Sequence, residues 1–138
     1  MGGACCADEG GKIVILGIGL DVVETAKVEQ LLAGLNQRFE ERVFTPAERR
    51  DCADRPDRVE ALAARFAAKE ACFKALGTGW GQGVSFLQVE VQRPDGGAPT
   101  LVLSGEAAAR ARQRGVKHVH VSLSHSAGVA AAAVILEG

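Results

Sequence analysis

One stretch limits what this chain can become more than any other: Arg65-Phe66-Ala67-Ala68-Lys69-Glu70-Ala71-Cys72-Phe73-Lys74-Ala75-Leu76-Gly77-Thr78-Gly79. Leu62, Phe66, Phe73 and Leu76 recur at helical spacing. At roughly 100° per residue they cover about 80° of arc, a single apolar stripe. Lys69 falls in the middle of that stripe, with Arg65 and Glu70 on its borders. Charge on a core-facing stripe is expensive unless it is paired or meets a ligand. The pattern predicts a helix from about Asp57 to Leu76, closed by Gly77, whose buried face opens onto a charged site.

The remaining segments fall around this helix. Lys12 to Val23 is apolar and β-branched, interrupted by Gly17 and Gly19, and reads as a buried strand that something approaches closely. Thr25 is placed to cap a helix running to about Asn36, with Val28, Leu31, Leu32 and Leu35 on one face. Thr45-Pro46-Ala47-Glu48 is a capping box with proline at the first helical position. Asp54 to Asp57, with Pro56, forms a turn, and Gly77 to Gly83 a glycine-rich loop. Val84 to Gln92 reads as a strand, joined through Pro94-Asp95-Gly96-Gly97 to a second strand, Thr100 to Leu103. Ser104 to Arg114 is an Ala/Arg helix closed by Gly115. His118 to Ser124 and Val129 to Leu136 pair across the turn Ser124-His125-Ser126-Ala127-Gly128. The fold class is α+β, a long central helix packed on a mainly antiparallel sheet.

With 138 residues, 47% of them hydrophobic and 24% charged, the chain makes one globular domain over residues 12–138. Residues 1–11 are small and polar and are expected to form a disordered extension. The net charge of −1 exerts no global pull toward nucleic acid or an anionic membrane, and neither partner is expected. Arginine is nonetheless dense locally: Arg38, Arg42, Arg49, Arg50, Arg55, Arg58 and Arg65 suit an acidic protein partner as well as a solvated face. Cys5, Cys6, Cys52 and Cys72 have no CxxC spacing and no secretory signal precedes them, which points to reduced thiols in the cytoplasm. Met1-Gly2-Gly3-Ala4-Cys5-Cys6 lacks the hydroxyl residue that myristoylation needs at position six.

Three places carry chemistry. Asp21 and Glu24 follow a glycine-bearing strand, although an aspartate there commonly serves as a cap. Lys69, Glu70 and Lys74 lie on the long helix, where Glu70 and Lys74 have the spacing of a surface ion pair. His125 stands among the hydroxyls of Ser122, Ser124 and Ser126. Two carboxylates without histidine or cysteine suit a hard cation such as Mg²⁺, and lysine with histidine suits phosphate. Together they make equipment for phosphoryl chemistry on a nucleotide-like substrate. No GxxxxGK[ST] and no GxSxG is present, which excludes a P-loop ATPase and a nucleophile-elbow hydrolase.

Four blocks, in order, resemble one known family: Gly17-Ile18-Gly19-Leu20-Asp21-Val22-Val23-Glu24, Arg65-Phe66-Ala67-Ala68-Lys69-Glu70, Lys74-Ala75-Leu76-Gly77-Thr78-Gly79 and His120-Val121-Ser122-Leu123-Ser124-His125-Ser126. The family is that of the holo-acyl-carrier-protein synthases, the small phosphopantetheinyl transferases of fatty-acid synthesis, and the resemblance spans about residues 12–137. It implies transfer of 4′-phosphopantetheine from coenzyme A to a serine of apo-acyl carrier protein, with release of adenosine 3′,5′-bisphosphate. It implies Asp21 and Glu70 as Mg²⁺ ligands, and Lys74 on the phosphates. Arg65 and His125, with Ser126 beside it, would lie near the adenosine 3′-phosphate, and Gly77, Thr78 and Gly79 would border the nucleotide. It also implies a homotrimer with active sites between subunits. A metal-bound water, or Glu70 through a water, would take the serine proton. Lys27 departs from the arginine common in the family at a position tied to carrier docking, and Phe73 replaces a small or polar residue. A Mg²⁺-dependent nucleotide phosphohydrolase built on the same carboxylates and lysines is the alternative reading, and a non-catalytic trimeric binding module is the third.

Overall fold

The computed structural model describes residues 12–34, 38–78, 82–94 and 97–138. The expected disorder of residues 1–11, the helix end near Asn36, Gly79 of the glycine loop, and Asp95 and Gly96 of the turn lie outside the described residues. In chain order the elements are β1 (Ile15–Glu24), α1 (Thr25–Leu32), α2 (Arg38–Val43), α3 (Pro46–Ala53), α4 (Arg58–Leu76), a 3₁₀ turn (Phe86–Gln88), β2 (Val89–Gln92), β3 (Thr100–Leu103), α5 (Gly105–Gln113), β4 (His118–Ser126) and β5 (Val129–Glu137). One antiparallel sheet has the order β1-β5-β4, and β2-β3 form a separate antiparallel ribbon. The α+β class and the long helix lying on an antiparallel sheet are as the sequence predicts.

Helix α4 lies across β1 and β5, and small residues make that contact possible. On β5, Ala130, Ala132, Val134 and Leu136 are buried and alternate with more exposed neighbours. On β1, a methyl group added at Gly19 would stand 1.8 Å from the Ala71 carbonyl oxygen, and one at Gly17 would stand 2.2 Å from that of Ala75. No side chain fits there, so the strand backbone rests directly on the helix backbone. Gly77 ends the helix in the left-handed conformation (φ 74°) and leads into Thr78, whose amide donates to the Phe73 carbonyl at 3.1 Å. Ala127 (φ 52°) and Gly128 (φ 80°) form the two-residue turn joining β4 to β5.

The long helix is buried around most of its circumference, not along one stripe. Its alanines meet the sheet, while Leu62, Phe66 and Phe73 meet the opposite layer, with Phe66 and Phe73 both against Phe86. Lys69 consequently opens onto no site. Its ammonium is fully buried, 2.8 Å from Glu48 Oε1, and donates to the carbonyls of Phe86 (3.0 Å) and Val89 (2.5 Å). Glu48 in turn accepts from the amides of Thr45 (2.9 Å) and Val91 (2.7 Å). The carboxylate that closes the α3 capping box thus also holds β2 and α4. Burial lowers the Lys69 pKa and the Glu48 charge opposes that shift.

Other departures have local causes. The expected strand from Val84 shortens to Val89–Gln92, because the Gln88 amide oxygen bonds the backbone of Ser85 and of Ala107 and curls the chain into a 3₁₀ turn. Helix α1 starts one residue earlier than a Thr25 cap would allow: Glu24 is its N-cap, and the Thr25 amide donates to Gly128 instead. It ends at Leu32, with Ala33 as its C-cap. The short helix α2, absent from the sequence reading, is anchored by Phe39 edge-on to Phe44 and Phe66. Strand β1 starts at Ile15, not Lys12, and β4 runs through His125 and Ser126, which the sequence places in the turn.

Removing one partner of a buried ion pair leaves the other charged and unmatched. Lys69→Met should therefore cost about 3–5 kcal/mol in urea unfolding. Adding Glu48→Gln should return part of that loss, since the stranded carboxylate is then gone. Simple addition of the two penalties would contradict the pairing.

Candidate active site

The contact between β1 and α4 determines which side chains meet. Gly17, Gly19 and Asp21 share one face of the strand, so the face that touches the helix ends in a carboxylate. Lys74, one turn beyond Glu70 on α4, donates to Asp21 Oδ1 at 2.9 Å and to the Leu20 carbonyl at 3.1 Å. Its hydrogen bond to the Asp21 carboxylate, and the charge of that carboxylate, raise the Lys74 pKa above the ordinary lysine value. Lys74 is thus paired with Asp21 and not with Glu70, as i,i+4 spacing alone suggests.

Asp21 Oδ2 is buried and, among the described residues, has no hydrogen-bond partner. Beside it opens a cavity of about 390 Å³ lined by Asp21, Glu24, Lys27, Val28, Phe66 and Glu70, among others. Burial, followed by the negative charge of Asp21, pushes the Glu70 carboxyl above its usual range. An orphaned carboxylate oxygen beside a second carboxylate that resists ionisation is an arrangement a hard cation relieves. Among the described residues no group of three His, Cys, Asp or Glu converges on such an ion. Asp21 and Glu70 therefore fit a cation that keeps water and substrate oxygens as its other ligands, as Mg²⁺ does.

A second cavity, of about 250 Å³, lies on the other border of α4. Arg65 is buried and donates to the Ala61 carbonyl at 3.3 Å, while its Nε has no partner. Arg65, Arg55, Arg93, Ser124 and His125 line this cavity. The two residues expected at a phosphate, Arg65 and His125, are therefore together within one chain, apart from Asp21 and Glu70. Sequence reasoning missed Arg93. It follows β2 by one residue, with the parity of the buried Val89 and Val91, and is exposed.

The other expected site residues lie around these cavities. Gly77 and Thr78 follow the last turn of α4, beyond Lys74, and the buried Thr78 hydroxyl has no partner. Gly79 lies outside the described residues. Ser126 ends β4, is exposed, and lines neither cavity. Phe73 is buried against Phe86, beside an apolar cleft with Val84 and Leu87.

Residues 17–134 match the family model described as the 4′-phosphopantetheinyl transferase superfamily. The chain is 57% identical over 128 residues to the holo-[acyl-carrier-protein] synthase of Anaeromyxobacter dehalogenans, covering 91% of this chain and 98% of that protein. It is 47% identical over 124 residues to that of Koribacter versatilis, covering 90% and 99%. Among solved structures it is similar to the Helicobacter pylori holo-[acyl-carrier-protein] synthase in complex with coenzyme A, with TM-score 0.75, 34% identity and 86% and 98% of the two chains covered. It is also similar to the Bacillus anthracis holo-(acyl-carrier-protein) synthase in complex with CoA (3′,5′-ADP), with TM-score 0.73, 41% identity and 90% and 97% covered.

The raised Glu70 pKa has a sign that can be tested. A raised carboxyl pKa means the folded state holds this proton more tightly than the unfolded chain. The penalty for ionising Glu70 is fully present above the folded pKa and vanishes below the ordinary value of 4.5. Glu70→Gln should therefore raise the melting temperature of the metal-free protein near pH 7, and the gain should shrink toward zero by about pH 4. A gain equal at both pH values, or a loss near pH 7, would contradict this origin.

Proposed function

Because the chain belongs to the 4′-phosphopantetheinyl transferase superfamily, we propose that it transfers 4′-phosphopantetheine from coenzyme A to a serine of apo-acyl carrier protein, releasing adenosine 3′,5′-bisphosphate. The observation that carries this reading is the orphaned Asp21 oxygen beside Glu70, with Lys74 bound on the other side of the same carboxylate. Asp21 and Glu70 would hold Mg²⁺, which, when bound, draws charge from the donor's diphosphate. Lys74 is placed to exchange its contact with Asp21 for a phosphate oxygen and to balance charge on the leaving group. The serine hydroxyl enters through the cavity that Lys27, Val28 and Phe66 help to line, and loses its proton there to a water or to Glu70 through a water.

The second cavity suits the 3′-phosphate of the donor. Arg65 offers an unpartnered Nε and His125 a ring nitrogen within a pocket that also holds Arg55 and Arg93. Arg65 and Glu70 leave α4 about 140° apart at 100° per residue, so the two cavities face different ways. This supports a donor shared between neighbouring subunits of a homotrimer. The face of the β1-β5-β4 sheet turned away from α4 supports the same assembly, since it exposes Ile18 (67%), Leu20 (59%) and Val22 (58%) side by side with Ile135. An acidic carrier is suited by the arginines of α2 and α3: Arg49 and Arg50 border a groove with Arg58, although Arg58 is itself bound to Glu40 at 2.9 Å.

Intact-mass spectrometry tests the reading. Incubation with coenzyme A, Mg²⁺ and apo-carrier protein should add one phosphopantetheine to the carrier, and a chelator should prevent it. Glu70→Ala should slow the reaction by about 100-fold or more. Hydrolysis of the nucleotide with no mass gained by the carrier would instead favour a phosphohydrolase.

A further inference from the structure

One residue at the edge of the second cavity opposes the ligand that the cavity suits. Asp57 is the N-cap residue of α4, yet its side chain makes no capping hydrogen bond. Aspartate is among the preferred N-caps, and such a bond contributes about 1 kcal/mol. Here both carboxylate oxygens turn aside and accept from Arg55, with Nε to Oδ1 at 2.8 Å and Nη2 to Oδ2 at 2.9 Å. Oδ2 also lies 3.9 Å from His125 Nε2. A single carboxylate therefore binds one group that lines the cavity, Arg55, and lies beside another, His125.

Fold stability gives little reason for this arrangement. The Arg55 and Asp57 side chains are 39% and 37% exposed. Exposed pairs of this kind are worth about 0–1 kcal/mol, no more than the capping bond forgone. The electrostatic consequence is local. The Arg55 hydrogen bond and charge hold the Asp57 carboxyl below its usual range, so it stays ionised at neutral pH and cancels the Arg55 charge. Among the described residues, Arg65 and Arg93 remain as the guanidinium groups of the pocket with no carboxylate partner.

We propose that Asp57 is a built-in competitor for the phosphate of this cavity. Its carboxylate holds Arg55 and lies beside His125, and must yield Arg55 when a phosphate enters. The proposal rests on reading the cavity as the 3′-phosphate subsite. Donor and nucleotide product carry the same 3′-phosphate, so an internal carboxylate weakens the hold on both. Weaker uniform binding raises KM for the donor and speeds departure of adenosine 3′,5′-bisphosphate.

Asp57→Asn tests this without disturbing the helix end, because the Asp57 side chain makes no capping bond to lose and asparagine has nearly the same volume. Calorimetric binding of adenosine 3′,5′-bisphosphate should tighten by about 3- to 10-fold, the size expected for one partly screened charge acting on a dianion. KM for coenzyme A should fall in proportion, and KM for 3′-dephospho-coenzyme A should stay where it was. Adding Arg55→Ala to Asp57→Asn should bring the bisphosphate affinity back toward that of the unmodified protein. Unchanged or weaker bisphosphate binding by Asp57→Asn overturns the proposal, as does an equal change with both donors. A parent protein that treats coenzyme A and 3′-dephospho-coenzyme A alike overturns the subsite assignment itself.

Discussion

The structure depends on the bare contact between strand β1 and helix α4. At Gly17 and Gly19 the strand lies so close to the carbonyls of Ala75 and Ala71 that no Cβ can be accommodated. Two alternate residues without side chains bring the next residue on that face, Asp21, up to the last turns of the helix. Lys74 then reaches both the Asp21 carboxylate and the Leu20 carbonyl. Glu70 is near enough for the charge of Asp21 to raise its pKa. Larger residues at either glycine would separate strand from helix and move the carboxylates apart, so packing and chemistry share one geometric cause.

The charges on α4 divide into two kinds that look alike in sequence. Lys69 and Glu70 are neighbours, but 100° of helix rotation separates their environments. Lys69 enters a closed network in which Glu48, Phe86 and Val89 supply its oxygens. Such a network specifies how α3, β2 and α4 meet, and it has no capacity left for a ligand. Glu70 and Asp21 are the opposite case, with an oxygen left without a partner and a carboxyl held above its usual range. An unsatisfied carboxylate of this kind can take a ligand, whereas the Lys69 network cannot.

Much of this was legible in the sequence because the signals were local. The capping box at Thr45 and Glu48 is present, Gly77 ends α4, and the paired glycines of β1 mark the close approach the sequence suggests. Asp21 and Lys74, both singled out in the sequence, are in contact, and Glu70 lines the same cavity as Asp21. What was not legible depends on partners distant in sequence. Nothing near Lys69 announces Glu48, 21 residues upstream, so its position on an apolar stripe suggested a ligand site. The burial of α4 on nearly every side was hidden because alanine carries too little hydrophobic contrast to reveal a second buried face. The 3₁₀ turn at Phe86 follows from a glutamine bonding across to α5, which no periodicity records.

On the proposed function, Asp21 and Glu70 together would hold a divalent cation at the donor's diphosphate. The most direct measurement is calorimetric titration of Mg²⁺ into protein saturated with coenzyme A, repeated with Asp21→Asn and Glu70→Gln. Outer-shell partners of a metal are themselves worth about 10–100-fold in affinity, so each ligand substitution should weaken the ion by at least about 10-fold. Undiminished Mg²⁺ binding by both variants would contradict the account.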